Sequence, residues 1–380
     1  MLLAAAVAAH DGVRRPAGAL TTAPVANVQM GPVVKTTTAS VTLTLPAAST
    51  AGTLLVATVA SNRNSAFSSP GTGWSQAAQI GQLNAAAGIW YYAGNPGGIS
   101  SVTFTDTSGT STAGQLSEWR GVLAGSPVDK TGTKTATLLA TSVTPSAGSV
   151  TTAGELAVTS TAQYMLLPST ATYTPGTGWT NLGNSGATSS SYQYTADYRT
   201  GVPTGSLSEK ITSSEAGSLS AVIATFKPVT CTGGTRMVTA PPSVAFPAAT
   251  LNGLDQTLTA SAAVTPSDMS GSAAGWNVTA TSTTFTNGAG KTLPATATTV
   301  TGAAPASAPG TCDLPTNSIT YPVTLPAAAT APAAVKVYNA AANTGGGPLT
   351  LTLSFQLAVP ASAYSGSYSS TWTFSIASGP

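Results

Sequence analysis

The chain has 380 residues, of which 6% are charged and 42% hydrophobic, and its formal net charge is +2 from 13 basic and 11 acidic side chains. Ordinary soluble domains carry about 25% charged residues. With so few charges and no basic run, a surface that tracks phosphates is excluded, and nucleic acid with it. A single histidine, His10, excludes a Ser-His-Asp or Cys-His centre inside the domains and a histidine-built zinc site. The glycines form no phosphate-binding pattern and no Asp-x-Asp run suggests calcium, so no cofactor and no metal is expected.

Residues 1–25 read as a leader or linker. Met1 to Ala9 is an apolar, Ala-rich run like the middle region of a signal peptide without its basic start; the alternative is an apolar tail. It is far shorter than the about 20 residues that cross a bilayer as a helix, and no other segment is apolar enough, so no transmembrane segment is expected. Arg14-Arg15-Pro16 and Pro24 interrupt regular structure.

Residues 26–228 repeat themselves after roughly 100 positions. Ala51-Gly52-Thr53-Leu54 returns as Ala153-Gly154-Glu155-Leu156, Pro70-Gly71-Thr72-Gly73-Trp74 as Pro175-Gly176-Thr177-Gly178-Trp179, and Ala113-Gly114-Gln115-Leu116-Ser117 as Ala216-Gly217-Ser218-Leu219-Ser220. Thr and Val favour pleated sheet over helix. Val41, Leu43 and Leu45 alternate, Leu54-Leu55-Val56 begins a continuous apolar strand of the buried kind, and Ile89-Trp90-Tyr91-Tyr92 has its partner in Ser191-Tyr192-Gln193-Tyr194. The spacing predicts a sandwich or jelly roll, either two small sandwiches or one pseudo-symmetric jelly roll, and we favour the single jelly roll because no linker separates the halves. Trp74, Trp90, Tyr92 and Trp179 are candidate glycan-stacking rings. The competing and favoured reading is that they are core, since alternate members of an aromatic strand must point inward.

After Lys227-Pro228 the character changes, and residues 229–380 form a second β-sandwich. Leu254, Leu258, Ala260, Ala262 and Val264 suggest one strand, and Trp276 starts another. A proline-punctuated loop covers about 293–334, including the sortase-signal-like Leu293-Pro294-Ala295-Thr296. Leu349, Leu351, Leu353, Phe355, Leu357 and Val359 alternate cleanly. The strand around Trp372 is expected to follow it as a hairpin with a long turn at 360–366. Cys231 and Cys312 both lie in this part, and an exported chain would join them in one disulfide, the alternative being two buried thiols. Among the acids only Glu118, beside Trp119, invites inspection as a catalytic group. Its plainer reading is a strand-end acid paired with Arg120 or solvated, and no enzyme is expected.

Two resemblances follow from these blocks. Leu45-Pro46-Ala47, the Ala51–Ala57 strand, Gly73-Trp74, Pro127-Val128-Asp129 and Phe226-Lys227-Pro228 are similar in order to jelly-roll modules of exported actinobacterial proteins. Gly275-Trp276-Asn277-Val278 and the terminal stretch from Tyr364 through Tyr368 to Trp372-Thr373-Phe374 resemble the paired Trp motifs of the WxL surface domain of Gram-positive bacteria, with Val278 and Phe374 standing where that family has Leu. The resemblance implies a secreted protein attached without a covalent bond to cell-wall peptidoglycan or an associated glycan, with Trp276, Val278, Tyr368, Trp372 and Phe374 as candidate wall-binding residues and the jelly roll displayed. Two alternatives are a structural subunit of an extracellular filament or surface layer, which would make the chain its own partner, and a carbohydrate-binding module acting through the N-terminal aromatics.

Overall fold

Strands of this kind pair only when their polar edges are matched, and the computed structural model shows how they are. It describes residues 2–5, 22, 24–64, 66–82, 84–308 and 310–380. The chain is all-β, with no helix among the described residues. It divides into two units, one of residues 24–229 and one of residues 230–380 together with 1–23. Most of the leader-like segment, His10 included, lies outside the described residues.

In the 24–229 unit, each half of the sequence repeat builds the same object. The first half forms a six-stranded antiparallel sheet with the order Ala26–Met30, Thr112–Arg120, Leu54–Ser61, Ala85–Tyr92, Ser75–Gln82, and with Val34–Thr36 added on Thr112–Arg120. The second half repeats that order with Val128–Val143, Ile211–Phe226, Glu155–Ser169, Ser190–Val202 and Thr180–Asn184, and adds Tyr173–Thr174. Each half also contributes a two-stranded ribbon, Ser40–Thr44 with Ser101–Thr105 and Ser146–Val150 with Gly205–Ser208. One core joins both sheets, with Leu54, Val56 and Trp119 of the first meeting Leu156, Tyr194 and Phe226 of the second. The opposite face of the first sheet packs on its own ribbon through Val41, Leu43 and Phe104. A central strand is therefore covered on both sides. All eight residues of Leu54–Ser61 are buried, so the strand reads as a run and does not alternate.

The repeated Gly-Trp turns coincide in detail. Trp74 N–H donates to the Gly71 carbonyl at 3.4 Å, and Trp179 N–H to the Gly176 carbonyl at 3.0 Å. Gly73 has φ of 87°, and a Cβ there would stand 2.2 Å from the Tyr92 ring, so both backbone and space require glycine.

The two halves differ at one buried pair. In the first, Leu55 lies opposite Glu118, and the Glu118 carboxylate accepts from Thr53 Oγ1 at 2.8 Å, Thr50 N–H at 2.8 Å and Gln29 Nε2 at 2.5 Å. Glu118 is thus neither solvated nor paired with Arg120 but fully buried, because strand register turns it inward. In the second half, strand register puts Thr225, opposite Ala157, where Glu118 stands in the first, four residues beyond the place that the Ala216–Ser220 block gives it, and the position of Thr53 is Glu155. Acid and hydroxyl have exchanged places. Glu155 is fully buried against Thr225 and Asp129, and burial pushes its carboxyl up to about 7.

The C-terminal unit is a second two-layer structure. One sheet has the order Arg236–Thr239, Gln256–Asp268, Gly347–Val359, Thr298–Ser307, Val323–Thr324. The other places Trp276–Thr283 between Thr371–Ser378 and the strands Val335–Ala340 and Ala327–Ala328, and Leu2–Ala5 runs parallel along Thr371–Phe374. Three expectations are corrected here. Gly347–Val359 and Thr371–Ser378 do not form a hairpin. Each presents an apolar row, and the rows face each other across the core, with Phe355 and Trp372 ring centroids 4.6 Å apart. The segment read as one loop over 293–334 contains the ten-residue strand Thr298–Ser307, which pairs with Gly347–Val359; its Thr, Ala and Gly show little apolar alternation. Leu254 lies outside the strand that begins at Gln256 and is exposed. Cys231 and Cys312 form the disulfide, with Cα atoms 6.3 Å apart and a sequence separation of 81.

Two tests follow from these features. Because the folded chain holds the Glu155 proton more tightly than the unfolded chain, its contribution to stability is fully present below pH 4.5 and is lost as pH rises through about 7. Thermal unfolding across that window is expected to show Tm falling with pH, and Glu155→Gln is expected to flatten the slope. Loop closure over 81 residues is worth roughly 4 kcal/mol, so reduction of the disulfide is expected to lower the Tm of the C-terminal unit by about 10 °C in calorimetry.

Candidate functional site

The two Trp motifs lie far apart in sequence and side by side in space. Trp276–Thr283 and Thr371–Ser378 are antiparallel neighbours, with Trp276 opposite Ser378, Val278 opposite Ile376, Ala280 opposite Phe374 and Ser282 opposite Trp372. Register alternation turns Trp276, Val278, Trp372 and Phe374 inward, and all four are fully buried. Gly275 has φ of 75°, and a Cβ on it would stand 2.5 Å from the Ala340 carbonyl, which explains the Gly-Trp dipeptide that opens the strand. The Trp276 indole stacks on Tyr338 at 5.5 Å and donates from Nε1 to the Gly345 carbonyl at 2.8 Å. Asn277 donates from Nδ2 to the Gly379 carbonyl at 2.8 Å, tying the first motif to the end of the second. Of the five candidate wall-binding residues only Tyr368 keeps partial exposure. The other four are core and offer no surface to a ligand.

Trp372 nevertheless reaches a surface feature through its neighbours. Its ring contacts Phe246 at 6.3 Å and Phe285 at 6.4 Å, both edge-on, and those two rings line a groove of about 660 Å³. One wall is the irregular segment from Ser243 to Ala249. The floor is made by buried ends of Leu293, Leu357 and Val359 with Phe285. The opposite wall is the turn from Ala363 to Tyr368. Tyr364 is 60% exposed, and Lys291 places its ammonium 4.0 Å from the Tyr364 ring centroid. Tyr368 Oη donates to the Tyr364 carbonyl at 3.1 Å, which fixes the turn. Leu251, at the rim, is 41% exposed.

The groove residues Phe246 and Leu251, and Lys291 beside them, were not among the candidates drawn from sequence, and Tyr364 entered only as the start of the second Trp motif. Ser243 to Ala249 has neither helical nor strand periodicity, and Pro247, with Pro241 and Pro242 just before the segment, marks it only as irregular. The one available signal was Phe246 between Pro242 and Pro247, a large apolar ring in a segment with no element to bury it.

The N-terminal aromatics are placed by packing. Trp90 and Trp179 are buried, in separate clusters on the ribbon sides of the two sheets. Trp74 and Tyr92 are half-buried and meet edge-on at 5.9 Å, with Trp74 also against Phe104 at 5.6 Å. These rings spend their faces on each other. Asp197 and Glu209 form a buried carboxyl pair, each 1% exposed, with Glu209 accepting from Thr159 Oγ1 at 2.7 Å and Asp197 from Asn181 Nδ2 at 2.7 Å. Burial and mutual repulsion push Glu209 well above the usual carboxylate range. Among the described residues, no three His, Cys, Asp or Glu side chains gather as a metal-holding group, and no helix is long and apolar enough to cross a membrane.

Comparison with known families decides what the paired Trp strands belong to. Residues 228–380 match the family model described as WxL domain, surface cell wall-binding. The C-terminal unit carries a WxL domain. The protein is therefore a cell-wall-associated surface protein. The match leaves residues 1–227 unassigned, and no curated protein and no solved structure matches the chain.

The second Trp of the motif is a packing residue whose ring lies against Phe246 and Phe285 beneath the groove. Trp372→Ala is expected to cost about 3–5 kcal/mol in denaturant unfolding. Tyr364→Ala, at an exposed position, is expected to stay within about 0.5 kcal/mol of the parent.

Proposed function

We propose that the chain is a non-catalytic surface protein held on peptidoglycan without a covalent bond by its WxL domain, and that it displays the N-terminal double-sheet unit outward. The observation that carries this reading is the family match over 228–380 together with the adjacent pairing of the two Trp strands. The non-catalytic part is supported by the placement of the acids. Glu118 is consumed by three hydrogen bonds in the interior, and the Asp197–Glu209 pair is buried 1% exposed, so neither faces a cleft where substrate could meet a carboxyl.

One observation favours a second reading, a subunit of an extracellular filament. Leu2–Ala5 adds in parallel to the edge strand Thr371–Ser378, and the same addition between copies would link them.

The test is sedimentation of the full chain with purified Gram-positive walls. Binding is expected, with release by denaturant in the absence of any wall-cutting enzyme. Retention after denaturation would rule out non-covalent attachment, and no sedimentation would rule out wall binding itself. Electron microscopy of the same preparation checks the second reading, for which fibres are required.

A further inference from the structure

The groove between the Ser243–Ala249 segment and the Tyr364–Tyr368 turn has a composition that narrows what can sit in it. Its lining includes no acidic and no basic residue. It consists of Leu, Val, Ala and Pro surface, the rings of Phe246, Phe285, Tyr364 and Tyr368, and serine hydroxyls at the rim. Lys291 stands beside it but is engaged over the Tyr364 ring. A volume of about 660 Å³ lies within the roughly 300–1,000 Å³ of small-ligand sites.

The second observation concerns backbone. From Ser243 to Ala249 the segment belongs to no strand, Ser243, Ala245, Pro247 and Ala248 are exposed, and among the described residues the segment makes no backbone–backbone bond. Exposed N–H and C=O groups in such a segment can exchange water for the donors and acceptors of a ligand at small net cost, and here they stand beside an apolar floor. A ligand that suits both must carry an apolar face and its own amide-like donors and acceptors, with no net charge.

We propose that this groove is the wall-contacting site of the WxL domain and that it takes an uncharged stretch of N-acetylated glycan. The sugar face lies on the exposed Tyr364 ring, the acetamide methyls enter the Leu and Val floor, and the acetamide N–H and C=O meet the open backbone from Ser243 to Ala249. Phosphate-bearing wall polymers and carboxylate-bearing peptides find no free counter-charge in the lining. The proposal rests on the wall-binding reading above and assigns it to a place.

The experiment uses the full chain and a β-1,4-linked tetramer of N-acetylglucosamine, titrated by calorimetry. Binding is expected, with an affinity at least about tenfold lower for Tyr364→Ala and for Leu251→Ser. Met237→Ala, exposed in the same unit but outside the groove lining, is expected to bind as the parent does. The tetramer of unmodified glucose is expected to bind more weakly than the acetylated one. The proposal is overturned if the acetylated tetramer does not bind, if both groove variants bind as the parent does, or if inorganic polyphosphate or a synthetic peptide of residues 2–8 displaces the sugar. Sedimentation with whole walls is run beside it. Parent and groove variants that sediment equally would remove the groove and leave wall binding standing, whereas a parent that fails to sediment would remove wall binding itself.

Discussion

The contact between Trp372 and Phe355, 4.6 Å between centroids, is where the two sheets of the C-terminal unit lock together. Trp372 comes from one sheet and Phe355 from the other, and Phe246 and Phe285 bring two irregular segments onto the same indole. A ring of this size buried among three others supplies contact area that the small residues around it cannot. The unit is rich in Ala, Ser and Thr, so its few large side chains set the spacing of the layers. A Trp that marks a family by its binding property need not touch what is bound. Here it sits one layer beneath the surface, and the irregular segments above it carry the exposed chemistry.

The N-terminal unit solves a related problem by repetition. Low charge and short side chains leave little to specify which strand neighbours which. A single strand order used twice, with both sheets turned onto one core, means that each half covers the apolar face of the other. Burial on both faces explains why its central strands contain Thr58, Ser61, Thr159 and Gln163 with almost no exposure. Those groups are bonded within the layers, as Thr58 is to Tyr194 Oη at 2.7 Å and Gln163 is to Tyr173 and Ser213.

Much of this was legible in the residues. The Gly-Trp turns marked the repeat, the uninterrupted Leu54-Leu55-Val56 run marked a strand covered on both sides, and the two cysteines marked the disulfide. The paired Trp motifs pointed to the WxL domain. Three things were not legible, for separate reasons. The partner of Gly347–Val359 depends on which face of Trp372 is buried, and alternation alone is the same for two strands side by side and two strands face to face. Thr298–Ser307 has small residues at most positions and so lacks a period. The groove is assembled from turns whose positions are set by the sheets behind them, so no local pattern announces it. The inward orientation of the motif tryptophans was available from periodicity, yet a Trp flanked by glycine and serine reads equally well as a surface platform until register is known.

The exchange of acid and hydroxyl between the two halves also limits which residues that buried spot can hold. If the halves began as one duplicated sequence, at least two substitutions separate the Thr53–Glu118 arrangement from the Glu155–Thr225 arrangement, and the intermediate held either two hydroxyls or two carboxyls at a fully buried spot. Two threonines can bond to each other at little cost, whereas two acids must share a proton or be driven apart. The spot therefore suits one acid beside a hydroxyl far better than two acids, and the halves are not interchangeable residue by residue: a glutamate placed at Thr53 alone would bury two carboxyls together.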